Sequence, residues 1–410
     1  MEWYQALIAF AVAFIVAYAM VPVSKFIGIK IGAVDYPSNR RINKAPVPRT
    51  GGIAIYTGML AGCIAIFMGE TFCGWTLRNL YVLQGINYYV LYWGITAMFA
   101  VGLVDDIIQL AALPKFIGQL AAAVVIALSG VSIDVVRAVS GDYISLNWLD
   151  VPLTVLYIVI FVNITNLIDG LDGLAAGIAI IVTASLAVLV YMRGNFTLVL
   201  ASLALIGACL AFLRFNFYPA SVFMGDGGSH LLGALMAVLA IGGVVRTQGI
   251  VAMIVPLVIA GVPVLDTFSS IVRRRRAGVS VGKADMGHLH HRLMRVGLGQ
   301  VRSVLVLWAC SLALAVVGIF IGRVPGVWHW AIIVVLACVM FIIIQRLGLL
   351  NPVLRHRYES KVENGPRVRQ VKAREREERE GATASGEGVA AAAASVAHAS
   401  ASHSEGGDAQ

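Results

Sequence analysis

Long apolar stretches alternate with short polar ones along most of this chain. Apolar runs fall at about 3–23, 51–68, 88–104, 116–133, 151–167, 174–192, 196–213, 229–245, 250–272, 303–322 and 327–345. A helix needs about 20 residues to cross a bilayer, and several of these runs sit near the lower limit. The pattern predicts an all-α, polytopic membrane protein of about eleven transmembrane helices. Lys and Arg orient it: with the N-terminus outside and the C-terminus cytoplasmic, segments placed inside hold 26 of the 31 basic residues, as the positive-inside rule asks. Ala17-Tyr18-Ala19 has the look of a signal-peptide cleavage site, but the segment before it carries Glu2 and no basic residue, so the first run reads as a span. The transmembrane part is expected over 1–345. Residues 346–410 form a cytoplasmic tail, which from about 355 turns to mixed charges and then Gly, Ala and Ser repeats with too little apolar material to fold.

Composition narrows the class. The chain is 59% hydrophobic and 13% charged, with a mean hydropathy of +0.84, far from a soluble domain. A net charge of +9 could suggest nucleic acid, yet the basic residues cluster between or after the apolar runs, so no nucleic acid is expected; topology and phosphate-bearing substrates account for them. Cysteines at 63, 73, 209, 310 and 338 show no metal-ligand spacing and no disulfide framework.

The polar residues that interrupt this pattern carry the chemistry. In 163–173, Asn-Ile-Thr-Asn-Leu-Ile-Asp-Gly-Leu-Asp-Gly, a polar side chain recurs every third position. On a helix Asn163, Asn166 and Asp169 would share a face of roughly 120°, while Gly170 and Gly173 permit close backbone approach. Amides beside carboxylates are oxygen ligands for a hard cation or partners for a nucleotide. Asp105 and Asp106 close the third run, where two adjacent anions at a helix carboxy end call for a cation or a lysine nearby. Phe223-Met224-Gly225-Asp226-Gly227-Gly228-Ser229 sets one aspartate among glycines before the eighth run, with Ser229 placed to cap the helix. The loop 273–302 holds four successive arginines and then His288, His290, His291 and Arg292; no further ligand has zinc spacing, and the arginines suit anions. The loop 35–52, with Lys44 and several prolines, suits a diphosphate. All of these fall at expected cytoplasmic ends. A cation-coupled transporter would place its carboxylates near the bilayer midplane instead.

Together, Asp105-Asp106, Asn163-x-x-Asn166-Leu-x-Asp169-Gly-x-Asp172-Gly-Leu, Phe-Met-Gly-Asp226 and His288-Leu-His290-His291-Arg292-Leu resemble, in order and placement, the polyprenyl-phosphate N-acetylhexosamine-1-phosphate transferases. The resemblance implies that a UDP-activated amino sugar and undecaprenyl phosphate give sugar-diphospho-undecaprenol and UMP, with Mg²⁺ or alternatively Mn²⁺. It implies Asn166 and Asp226 as metal ligands, and Asp105 and Asp106 at the lipid phosphate, Asp105 accepting its proton. It further implies Asp169 and Asp172 in the nucleotide site, Asn216 and Phe223 on the uracil, Lys44 and Lys115 on the phosphates, and the histidine motif on the sugar phosphate. Asp105, Asp106, Asp169 and His290 are then expected among the catalytic residues, and Asn163, His288, His291 and Arg292 among those that bind substrate. The resemblance implies UDP-N-acetylglucosamine, undecaprenyl phosphate and the lipid bilayer as partners, and leaves a homodimer open. Asn43 stands where the family commonly has histidine, and Gly227 where it commonly has Ser or Thr. The Pro-Val-Pro-Arg-Thr-Gly-Gly loop and the His-Leu-His-His form resemble the N-acetylglucosamine branch; the alternative is the branch that uses UDP-N-acetylmuramoyl-pentapeptide.

Overall fold

The computed structural model describes residues 2–36, 45–75, 86–137, 143–192, 194–242, 256–276, 293–294, 298–321 and 328–346. Helices dominate them: α1 Trp3–Lys30, α2 Gly51–Phe72, α3 Tyr88–Ile108, α4 Ala112–Leu128, α5 Asp150–Ile168, α6 Leu174–Tyr191, α7 Phe196–Asn216, α8 Gly225–Ala240, α9 Gly261–Arg276, α10 Gln300–Ile321 and α11 Trp328–Arg346. Among the described residues seven helices are long and apolar enough to cross a membrane: α1, α2, α3, α5 with the turn before it, α6, α7 and α10. Helices α4 and α8, at 17 and 16 residues, are shorter. Two small antiparallel ribbons, β1 Val34–Asp35 with β2 Val47–Pro48 and β3 Val135–Arg137 with β4 Tyr143–Ser145, were not evident from the run pattern.

Helix α8 is the axis of the bundle. Apart from Asp226, every residue from Gly225 to Ala240 is buried, which a helix apolar on all sides requires. It packs against α2, α3, α5 and α6, while α1 lies on α2 and α7. Apolar side chains gain little by leaving lipid for one another, so close backbone approach at small residues has to provide the packing. Three such approaches lie along α8, two of them at its start. A Cβ on Gly52 of α2 would overlap the Gly228 backbone, one on Gly102 of α3 would overlap the Asp226 carbonyl, and one on Gly233 would meet Val162 of α5.

Two local expectations change. Helix α5 ends at Ile168, so Asn163 and Asn166 are helical while Asp169 sits at the carboxy cap with φ −74° and ψ 53°; the shared face holds two residues rather than three. Ser229 does not cap α8. The helix already begins at Gly225, whose φ of +74° suits glycine, and the Ser229 hydroxyl donates back to the Asp226 carbonyl at 3.2 Å. Lys44, Asn43, the histidine motif with His288, His290, His291 and Arg292, and the tail lie outside the described residues.

Candidate active site

The site forms where α3, α4 and α8 meet the strand-to-helix segment 47–52. That segment is laced to the residues before α8 by its backbone: Phe223 N–H donates to the Pro48 carbonyl, and Gly51 and Gly52 donate to the carbonyls of Phe223 and Met224, all at 2.8–2.9 Å. The Thr50 hydroxyl ties the segment to α1 through the Ser24 carbonyl at 2.6 Å. Arg49 is thereby set over the amino end of α8, with its guanidinium 3.5 Å from Asp106 Oδ1 and 3.8 Å from Asp226 Oδ1. Burial alone would lower the Arg49 pKa, but the facing carboxylates outweigh it and raise it.

The two adjacent aspartates of α3 do different work. Asp105 closes its own helix end, its Oδ1 accepting the Leu110 N–H at 2.6 Å while Oδ2 accepts from Lys115 Nζ at 2.9 Å. Asp106 reaches across to α8 and accepts the Asp226 and Gly227 backbone N–H groups at 2.8 and 2.9 Å. Its carboxylate thus caps the amino end of α8, where unpaired donors and the helix dipole favour an anion. Lys115, from the first turn of α4, bridges Asp105 and Asp226. This is the positive partner that the Asp105-Asp106 pair demanded.

Behind the carboxylates lies a chain of uncharged polar groups. Asn163 Nδ2 donates to Gln119 Oε1 at 2.8 Å, Gln119 Nε2 meets His230 Nε2 at 3.0 Å, and Asn166 Nδ2 meets the same ring nitrogen at 3.2 Å. On the other flank Asp172 Oδ2 accepts the Ala220 N–H at 3.0 Å. The buried Asn216 clamps two loops, its Oδ1 accepting from Gly173 N–H and its Nδ2 donating to the Val222 carbonyl, both at 3.0 Å. Phe223 is half-exposed at the rim. Burial pushes Asp172 up, and it pushes Asp169 up to about 7, with the Asp226 carboxylate adding to the shift and Arg49 opposing it.

A stability prediction follows for Asp169. Its folded pKa lies above its ordinary value of 3.8, so the folded state binds the extra proton and the group's contribution is lost as pH rises from about 4 through 7. In metal-free detergent buffer, Asp169→Asn is expected to melt above wild type at pH 8, with the difference vanishing by pH 4. An equal difference at every pH would refute the assigned shift.

The structure therefore brings Asp105, Asp106, Lys115, Asp226 and the site face of Asn163 and Asn166 together, with Asp169 close enough to feel Asp226 and Asp106. Three members were not singled out from sequence: Arg49, Gln119 and His230. The signal was present for the last two, because a histidine and a glutamine inside apolar runs 229–245 and 116–133 are costly to place there without work to do. Arg49 was hidden among the other cations of its loop.

Among the described residues no three His, Cys, Asp or Glu side chains are arranged to hold a metal by themselves. The donor set nonetheless fits a hard divalent ion. Among the described residues, Asp105, Asp106, Asp169 and Asp226 when ionised face only Lys115 and Arg49, an excess of about two negative charges. Mg²⁺ commonly takes one or two carboxylates from the protein and the rest from water and substrate phosphates.

The glycosyl transferase family 4 model matches residues 88–244, which spans α3 to α8. The chain is 35% identical over 348 residues, 85% of its length and 93% of the relative's, to the probable undecaprenyl-phosphate N-acetylglucosaminyl 1-phosphate transferase of Bacillus subtilis. It is 35% identical over 368 residues, 83% of its length and 87% of the relative's, to the decaprenyl-phosphate N-acetylglucosaminephosphotransferase of Mycolicibacterium smegmatis. It is also 31% identical over 337 residues, 78% of its length and 98% of the relative's, to the phospho-N-acetylmuramoyl-pentapeptide-transferase of Shouchella clausii. With likeness running through every helix that builds the site, this chain belongs to the polyprenyl-phosphate N-acetylhexosamine-1-phosphate transferases and is a membrane enzyme of sugar-phosphate transfer.

Proposed function

We propose that this enzyme transfers N-acetylglucosamine 1-phosphate from UDP-N-acetylglucosamine to undecaprenyl phosphate, at the cytoplasmic face of the bacterial cell membrane, as the first lipid-linked step of an envelope polymer. The observation that carries the reading is the convergence of Asp105, Asp106, Asp226, Lys115 and Arg49 in a chain whose relatives include N-acetylglucosamine phosphate transferases over most of its length. A lipid-phosphate oxygen forms a bond to the phosphorus that bears the sugar. The bond from that phosphorus to the bridging oxygen breaks, and UMP leaves with the electron pair. One phosphoanhydride replaces another, so the equilibrium constant is expected near one.

The chain's residues position and neutralise rather than react covalently, as is general for phosphoryl transfer. Lys115 and Arg49 would meet phosphate oxygens at the cost of loosening their present ion pairs. Asp105 borders the lipid-phosphate end; since a phosphate monoester has its second pKa about 6, the acceptor is mostly dianionic at neutral pH and little proton removal is asked of it. Asp226 and Asn166 would hold Mg²⁺, which supplies charge neutralisation of the diphosphate and of departing UMP. Asp169 and Asp172 border the nucleotide side, with Phe223 at the rim for the uracil.

Release of UMP by purified protein in detergent tests this. Turnover is expected with UDP-N-acetylglucosamine and undecaprenyl phosphate, to vanish with a chelator, and to return with Mg²⁺. The second reading, transfer from UDP-N-acetylmuramoyl-pentapeptide, is favoured by the Shouchella clausii relative. Turnover with that donor only would establish it and overturn the choice of sugar.

A further inference from the structure

The side-chain chain Asn163–Gln119–His230–Asn166 has a fixed hydrogen-bond direction, and it starts from a group that can only accept. Asn163 Nδ2 donates to the Val159 backbone carbonyl at 2.9 Å as well as to Gln119. A carbonyl cannot donate, so this end of Asn163 is its NH₂ group. The Gln119 atom it meets is therefore the acceptor Oε1, which turns the Gln119 NH₂ group toward His230. His230 Nε2 must then accept, so the ring is neutral and carries its proton on Nδ1. Nδ1 is buried without a hydrogen-bond partner among the described residues, and the ring lies against the Met98 backbone of α3. Because Nε2 offers only a lone pair, Asn166 too must face it with NH₂.

The consequence falls on the outer ends of the two amides. With both NH₂ groups directed inward, the Oδ1 atoms of Asn163 and Asn166 are free among the described residues, and both residues keep an open surface whereas His230 is 0% exposed. Were Asn166 reversed, its oxygen would confront the Nε2 lone pair in a buried setting, which is costly. We propose that His230 is a positioning residue: as a neutral acceptor held between Gln119 and Asn166, it locks the Asn166 amide with its oxygen turned outward, ready to serve a divalent cation. The use of that oxygen rests on the cation site proposed above; the direction of the network does not. Outer hydrogen bonds of this kind commonly set the orientation of a ligand and, when lost, cost about 10- to 100-fold in metal affinity.

The test uses the full chain purified in detergent. Selective ¹⁵N labelling of histidine, with His230 identified by its loss in His230→Gln, reads the tautomer; a protonated Nε2 overturns the proposal. Mn²⁺ affinity is read from the free-ion electron paramagnetic resonance signal in titrations without substrate. His230→Leu keeps volume but removes the acceptor and is expected to weaken Mn²⁺ binding about tenfold or more. His230→Gln offers an oxygen to both donors and is expected to stay within about threefold of wild type by the same reasoning. If His230→Leu does not yield folded protein, Gln119→Leu, which cuts the anchor while leaving His230, is expected to weaken binding by a smaller factor. Equal affinities in wild type and the leucine variant overturn the proposal, as does equal loss in Leu and Gln. A wild type that holds Nδ1–H yet binds Mn²⁺ no better than Asp226→Ala overturns the cation site and the purpose given to Asn166, while the network itself stands.

Discussion

Asp226→Ala is expected to bring UMP release to background, a loss on the order of 10³-fold or more for a group that organises charge in the transition state, while the protein still inserts but melts below wild type. The two halves of this result have separate causes. Asp226 is the carboxylate that both cations address, Lys115 from α4 and Arg49 from the 47–52 segment, so its loss disperses the positive groups and removes the carboxylate proposed to hold the metal. Stability falls for a different reason, because Asp226 pairs with both cations and its loss leaves Lys115 and Arg49, each largely shielded from solvent, with fewer anionic partners. The loss is partly offset at Asp169, whose pKa should fall from about 7 once its neighbouring carboxylate is gone. The backbone of Asp226, which donates to Asp106, is untouched by the substitution. Activity and thermal unfolding measured on the same preparation check both halves; substantial turnover in this variant would refute the metal assignment.

Asp106→Ala is expected to lose both stability and activity, on the order of 3 kcal/mol and about 100-fold. Its carboxylate, with a side chain 1% exposed, satisfies two backbone N–H groups in the first turn of α8 and pairs with Arg49. A buried donor stripped of its acceptor costs about 1–3 kcal/mol, and here two are stripped at once. Asp106→Asn keeps one acceptor oxygen and is expected to fall between the alanine variant and wild type. Activity should drop with stability because Asp106 fixes where α8 begins, and hence where Asp226 points. A thermal midpoint for Asp106→Ala equal to wild type would show that α8 does not depend on this cap. Set beside Asp226→Ala, the pair separates a residue proposed to act on substrate and metal from one that places it, a distinction invisible in the acidic motifs themselves.

Much of this protein was legible before any coordinates. Residues at a lipid interior declare themselves through composition alone, since a backbone in hydrocarbon must satisfy its own hydrogen bonds and becomes helical; nearly every apolar run is matched by a helix over nearly the same residues, as 151–167 is by Asp150–Ile168. Polar side chains in such surroundings are costly enough to mark a site, so Asp105, Asp106, Asn163, Asn166 and Asp226 stood out by position, and their family by order. What the runs could not convey was division of labour. That Asp105 closes its own helix while its neighbour caps another, that Asp169 falls off the end of α5, and that α8 starts at Gly225 rather than after Ser229 depend on which backbone groups are left unpaired where separate helices meet. Arg49 joined the site only because 47–52 is laced to 223–224, and the direction of the Asn166 amide only because Val159, Gln119 and His230 lie within reach. Local sequence therefore determined the helices, the membrane class and most of the charged residues of the site, through the cost of burying polar groups. Only the tertiary structure decided which donor faces which acceptor, because hydrogen bonds and ion pairs between residues 64 to 111 positions apart are set by three-dimensional proximity rather than by spacing along the chain.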